Sequence, residues 1–308
     1  MRSPFARARA LALVVPLFAA SNASAADPGE VNIYSYRQPY LIDLLLNEFT
    51  EETGIKINVI FAEKGLIERI QAEGRNSPAD VLLTVDVGNL TQATDAGIAQ
   101  PIQSAALEAA IPPAYRATDG EWVGLTRRAR VVYASKERVK QDKISYKELA
   151  DPKWRRKICI RSGQHVYNVA LIASMIAHHG EEWTEAWLRG VKANLARKPA
   201  DDDRLQVKGV YAGECDLAVG NTYYMGRDAD KDSEQKEWAN SARFPDSDDR
   251  GTHVNISGAV VAKYARHKDN AIKLPEFLSS DKGQEMYADV NNEYPVKEGI
   301  PWSKLVQS

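Results

Sequence analysis

Apolar and polar positions alternate over residues 31–36, and the spacing then changes to three or four residues over 41–50 before Gly54 interrupts it. Alternation is the mark of a half-buried strand and the wider spacing that of an amphipathic helix. With a second strand over 55–61 they predict a βαβ unit, the building block of a parallel sheet covered by helices. The rhythm continues with a helix over 66–73, a buried strand over 79–85 and a short helix over 90–96 closed by Gly97. Residues 98–120, with Pro101, Pro112 and Pro113, read as irregular. Alternation returns over 122–133. Arg128 and Arg130 then share one face and Arg127 takes the other.

From Tyr146 the pattern starts again: a helical stub over 145–149, a strand over 157–161, an apolar helix over 169–177, an amphipathic helix over 181–189 and a further helix and turn over 201–213. Leu217 to Val219 form a short buried strand, and Gly220-Asn221-Thr222 then break and cap it ahead of Tyr223 and Tyr224. A strand over 251–261 reads as the return crossing, followed by covering helices over 274–278 and 283–290. The expected fold is α/β, two lobes, each a mostly parallel sheet flanked by helices, with crossing hinge strands between them. One lobe comprises 26–125 and 250–308, where the C-terminal helices have the option of covering the other lobe; the second comprises 126–249.

The first 25 residues stand apart. Arg2, Arg7 and Arg9 precede an apolar run over 10–20 and the small-residue pattern Ala23-Ser24-Ala25, which reads as a cleaved secretory signal peptide. Export to a bacterial periplasm, without stable membrane insertion, follows as the expectation, and the chain is expected to be a monomer. The composition, 44% hydrophobic and 27% charged over 308 residues, is that of a folded protein. A net charge of −2, more negative once the leader arginines are gone, offers no footprint for nucleic acid. In an oxidising compartment Cys159 and Cys215, the chain's two cysteines, read as one disulfide, the alternative being two buried thiols.

Catalytic signatures such as G-x-S-x-G, H-E-x-x-H and the P-loop are absent from the sequence, so an enzyme is not expected. Asp228-x-Asp230-x-Asp232 begins like a calcium loop, but Ser233 and Ala239 occupy its glycine and glutamate places. The candidate chemistry lies in phenols. Tyr223 and Tyr224 follow a strand, and Tyr167 projects from the turn after Ser162, at the start of a helix. Tyrosines in such places are packing residues or ligands. A phenolate is a hard anionic donor, and by hardness and charge three of them suit Fe³⁺. The arginines of 127–130 read first as a solvated basic edge, or else as an anion-facing Arg128 between lobes. Arg37 and the helix start near Ser162 would hold a small anion beside the metal.

Val31-Asn32-Ile33-Tyr34-Ser35-Tyr36-Arg37-Gln38, Phe49-Thr50-Glu51-Glu52-Thr53-Gly54, Cys159-Ile160-Arg161-Ser162 through Tyr167-Asn168, and Gly213-Glu214-Cys215 to Asn221-Thr222-Tyr223-Tyr224 together resemble the periplasmic ferric-ion-binding proteins of bacterial ABC iron importers. The resemblance runs the length of the mature chain. It implies a two-lobed periplasmic binding-protein fold of the class II type, with iron held between the lobes by Tyr167, Tyr223 and Tyr224 and delivered to an inner-membrane ABC permease. It also implies Arg37 near a synergistic anion, commonly carbonate. Some relatives place a histidine and a tyrosine directly after that arginine; here Gln38 and Pro39 stand there, so histidine ligation is lost and Tyr40 or Tyr36 is the possible addition. The competing reading is a binding protein of the same fold for an oxyanion or small organic anion.

Overall fold

The first strand, β1 (Glu30–Ser35), pairs in parallel with β2 (Lys56–Phe61) on one side and β3 (Val81–Thr84) on the other. The structure is a computed structural model and describes residues 28–199, 202–225, 241–304 and 306. The expected leader and the Asp228 to Asp232 stretch lie outside them. All four residues of β3 are buried, as a strand covered on both faces requires. α1 (Pro39–Thr53) carries proline in its first turn, where the missing N–H has no intrahelical partner to lose. It stops at Gly54, which takes a φ of 71° and returns its N–H to the Thr50 carbonyl.

Two clusters sandwich this sheet. Ile42, Leu45, Leu46 and Phe49 of α1 pack on Val31 and Ile33. On the opposite face α2 (Leu66–Glu73) and α3 (Val87–Asp95) bury Ile67, Ile70 and Leu90 against Tyr34 and Leu82. Each such fully buried aliphatic side chain contributes roughly 2 kcal/mol of transfer free energy. The stretch expected to be irregular contains a short α-helix, α4 (Ala105–Ala110), capped by Ser104, whose hydroxyl accepts the Leu107 N–H, and a 3₁₀ turn at Pro113–Tyr115. Six residues with Leu107 alone buried are too few for a period to register.

β4 (Val123–Ala134) is the long element that joins the lobes. Its first half pairs antiparallel with β8 (Val254–Val261), which lies beside β3. From Arg130 onward its partner is β6 (Leu217–Asn221), itself parallel to β5 (Ile158–Cys159). β7 (Ala242–Arg243) and β9 (Tyr294–Pro295) add short pairings to β4, so the strand order is β2-β1-β3-β8-β4-β6-β5 with both of these on β4. Where β4 changes partner, the Arg130 N–H donates to the His253 carbonyl at 2.9 Å. β4 and β8 are therefore the crossing strands. β4 is not an edge, and this corrects the reading of its arginines: Arg128 and Arg130 are 3% and 2% exposed. Arg127 does face the other way, donating to the Pro295 carbonyl and the Tyr115 hydroxyl.

In the second lobe α5 (Val166–His179) and α6 (Glu181–Ala193) bury Leu171, Met175, Trp187 and Val191 on Val132, Leu217 and Val219. α7 (Asp203–Tyr211) covers the other face with Val207 and Val210. The final helices, α8 (Lys268–Leu278) and α9 (Asp281–Asn291), send Leu274, Phe277 and Tyr287 into the first lobe's core. Beyond them Tyr294 and Val306 join the second lobe's core instead.

Cys159 and Cys215 are bonded, with Cα atoms 5.9 Å apart. The bridge joins the β5 strand to the residue two before β6. Gly209 of α7 sits against it, where a side-chain Cβ would lie 3.3 and 3.4 Å from the two sulfurs. The loop closed by the bridge has a sequence separation of 56, for which chain entropy predicts about 4 kcal/mol of stabilisation. The double change Cys159→Ser with Cys215→Ser is expected to lower unfolding free energy by about that amount in urea titrations; an unchanged midpoint would show that the bridge constrains nothing.

Candidate metal site between the lobes

β5 and β6 run side by side, Cys159 opposite Ala218, so the segments that follow them leave the same edge of the sheet. After β6 comes a single 3₁₀ turn, Thr222–Met225, and after β5 comes the start of α5. A tight helical turn separates successive side chains by about 120°, against 180° in a strand. Tyr223 and Tyr224 thus keep neighbouring rings, 4.5 Å between centroids. Tyr167 is the second residue of α5, and its N–H is capped by Nδ1 of His165. Across the gap the Tyr223 hydroxyl donates to the Tyr167 hydroxyl at 3.0 Å. The three phenols expected from sequence line one cleft.

That cleft, about 560 Å³, is walled on the second-lobe side by Tyr167, Tyr223, Tyr224, Arg161, His165 and Asp202, and on the other by residues including Tyr40, Gln38, Glu63 and Glu68. Burial raises the pKa of Tyr223 well above the ordinary phenol value, and the neighbouring Tyr167 and Tyr224 add to it. Tyr224 is raised in the same way, by burial and then by the Asp203 carboxylate. Both are neutral donors at physiological pH until something replaces the proton. His165 is held down to about 4 by burial and by Arg161, so its ring stays neutral and keeps a lone pair for the helix cap.

Guanidinium groups surround Tyr167. The central guanidinium carbons of Arg128, Arg161 and Arg130 lie 5.3, 5.4 and 5.9 Å from its ring centroid, within cation–π range. Arg130 is the fixed point: it pairs with the fully buried Asp203 and donates to Asn168 Oδ1 at 2.6 Å and Asn221 Oδ1 at 3.0 Å. Asn221 passes the contact on, its Nδ2 donating to the Tyr223 hydroxyl at 3.1 Å. When Tyr223 loses its proton this amide remains as a donor to the phenolate, which hydrogen bonding to the charged form favours.

The expected anion-holding residues divide. Gln38 lines the cleft. Arg37 does not: it is buried against Glu293 at 2.8 Å and beneath the Tyr287 ring, and that carboxylate raises its pKa although burial alone would lower it. Ser162 is spent on its own turn, accepting the Gln164 N–H, and is exposed. Arg128 reaches into the first lobe, donating to the Val85 carbonyl with Asp86 at 3.8 Å. Of the two extra tyrosines, Tyr40 is 45% exposed on the cleft wall. Tyr36 also lines the cleft, but its hydroxyl accepts the Leu66 and Ile67 N–H groups, both at 3.0 Å, at the start of α2.

Arg161 and Lys64 are cationic wall residues that sequence reasoning passed over; for Arg161, its place at the end of the expected 157–161 strand was the available signal. Asn168, Asp203 and Asn221 were also missed, since nothing local links Arg130 to a carboxylate 73 residues on.

The sequence profile of the bacterial extracellular solute-binding proteins matches residues 34–285. Iron uptake protein A1 of Synechocystis sp. is 47% identical over 284 residues, 91% of this chain and 79% of that protein. Among solved structures, the apo ferric ion-binding protein A of Pasteurella haemolytica superposes with a TM-score of 0.86 at 52% identity, covering 90% of this chain and 88% of its own. The Trichodesmium protein FutA, solved with iron and citrate, gives 0.81 at 43% identity over 91% of this chain and 90% of its own. By the extent of the profile match and of these likenesses, the chain belongs to the bacterial extracellular solute-binding protein family.

Proposed function

We propose that this protein captures ferric iron in the cleft between its lobes, on Tyr167, Tyr223 and Tyr224, and hands it to an ABC permease of the inner membrane. The observation that carries the reading is the 3.0 Å contact between the Tyr223 and Tyr167 hydroxyls beside the Tyr224 ring. Phenol oxygens brought this close, from two segments held in register by β5 and β6, form a donor set for one hard trivalent cation. A relative named for iron uptake and a solved structure named for ferric-ion binding support the same ligand.

Three phenolates cancel the charge of Fe³⁺ and leave coordination positions open. We place a small anion there, carbonate or a carboxylate, beside Arg161 and Gln38, and offer Tyr40 as the first-lobe donor that approaches when the lobes close. Loading and release follow opening and closing about β4 and β8, with lobes bounded near residues 126 and 250. Export by the N-terminal segment would put this capture in the periplasm, with the protein acting as a monomer and as a carrier rather than a catalyst.

Two expectations test the proposal. Adding a ferric chelate to the purified protein is expected to give a visible phenolate-to-iron charge-transfer band, lost along with high-affinity binding in the double variant Tyr223→Phe with Tyr224→Phe; a band of undiminished strength in that variant rules the pair out as ligands. Because the free phenols are protonated, binding must release their protons, so affinity rises with pH and acid expels the metal. Titration in weak buffer at neutral pH is expected to release about three protons per ion from the protein, and release near zero would point to a carboxylate site.

A further inference from the structure

Tyr167 borders a second space as well as the cleft. It is a cavity of about 10 Å³ whose other walls are Arg128, Arg130, Asn221, His253 and Asn255. That is room for a single water-sized occupant. The walls come from β4, the end of β6 and the approach to β8, so the cavity lies where the lobes cross.

Its chemistry is one-sided. Of these wall residues, Arg128 Nη1, Arg130 Nε and His253 Nε2 are buried and have no hydrogen-bond partner among the described residues. Guanidinium N–H groups only donate, and His253 offers a further donor in its Nε2–H tautomer. The amides are engaged elsewhere: Asn221 bridges Arg130 and Tyr223, while Asn255 donates to Asp86 at 2.7 Å and accepts from Val87 and Ile256. Arg130 is hydrogen-bonded to Asp203, whereas Arg128 stands 3.8 Å from Asp86, too far for a hydrogen bond. A water molecule would bring two hydrogens to a wall of donors, whereas a halide only accepts.

We propose that this cavity is a chloride site. The ion would tie Arg128, whose other nitrogen reaches Val85 and Asp86 in the first lobe, to Arg130 and to His253 at the foot of β8, and so brace the crossing point behind Tyr167. The site stands apart from the iron reading and is tested on iron-free protein. Crystals soaked in bromide are expected to show an anomalous peak in the cavity, in contact with Arg128 and Arg130. In solution the thermal midpoint is expected to rise saturably with chloride or bromide against sulfate at matched ionic strength, and Arg128→Gln to flatten that response. Light density without anomalous signal in the cavity, bromide found at surface positions alone, or a midpoint indifferent to halide would each overturn the proposal. The soak reads the unaltered protein, so it stays decisive even where Arg128→Gln does not fold.

Discussion

A single buried guanidinium organises the second lobe. Arg130 belongs to the crossing strand, yet its side chain bonds Asp203 at the head of α7, Asn168 in the first turn of α5 and Asn221 at the end of β6. Its backbone carbonyl accepts the Tyr146 hydroxyl as well. Both second-lobe segments that bear a cleft tyrosine are therefore tied to one planar group. Ion pairs this deep add little net stability, because desolvation consumes much of the attraction, but removing one partner leaves an uncompensated charge at a cost of about 3–5 kcal/mol. Their value here is geometric. The five-donor fork of arginine fixes angles that a lysine ammonium would leave loose.

The same logic explains the neighbouring packing. Gly220 lies in β6 beneath the Tyr133 ring, where an added Cβ would stand 3.0 Å from Cε2. Tyr133 in turn donates to the Asn221 carbonyl at 2.8 Å. The strand end that presents Asn221 and the two tyrosines is thus held from below by an aromatic ring, from the side by the disulfide-linked β5, and from within by Arg130. A donor set of phenols requires such stiffness, since each hydroxyl sits at the end of a long side chain and small rotations at its base are magnified there.

What the sequence disclosed followed from range. Elements defined by local period, such as β1, α1 and α2, came out within about three residues at each end, and the three phenols read as one site line one cleft. What it withheld depended on partners far along the chain. Arg37 was matched to an anion by its position after β1, but Glu293, 256 residues later, takes it instead. Arg128 and Arg130 looked like a solvated edge because the alternating pattern of a strand is the same whether its neighbours exist or not. Here β8, β6 and β9 cover it. α4 escaped because a six-residue helix leaves no period to read.

The hydroxyl of Tyr36 carries a lesson about dissecting such a cleft. Gly65, the residue before α2, has no side chain to offer, so the helix borrows its terminal acceptor from a phenol thirty positions upstream. A phenylalanine survey scored by loss of cargo alone would enrol Tyr36 as a ligand, when the injury is to the scaffold: two orphaned amides and a frayed wall carrying Glu68. Separating donors from props in this pocket calls for spectroscopy of the metal alongside a measure of how firmly α2 holds its first turn.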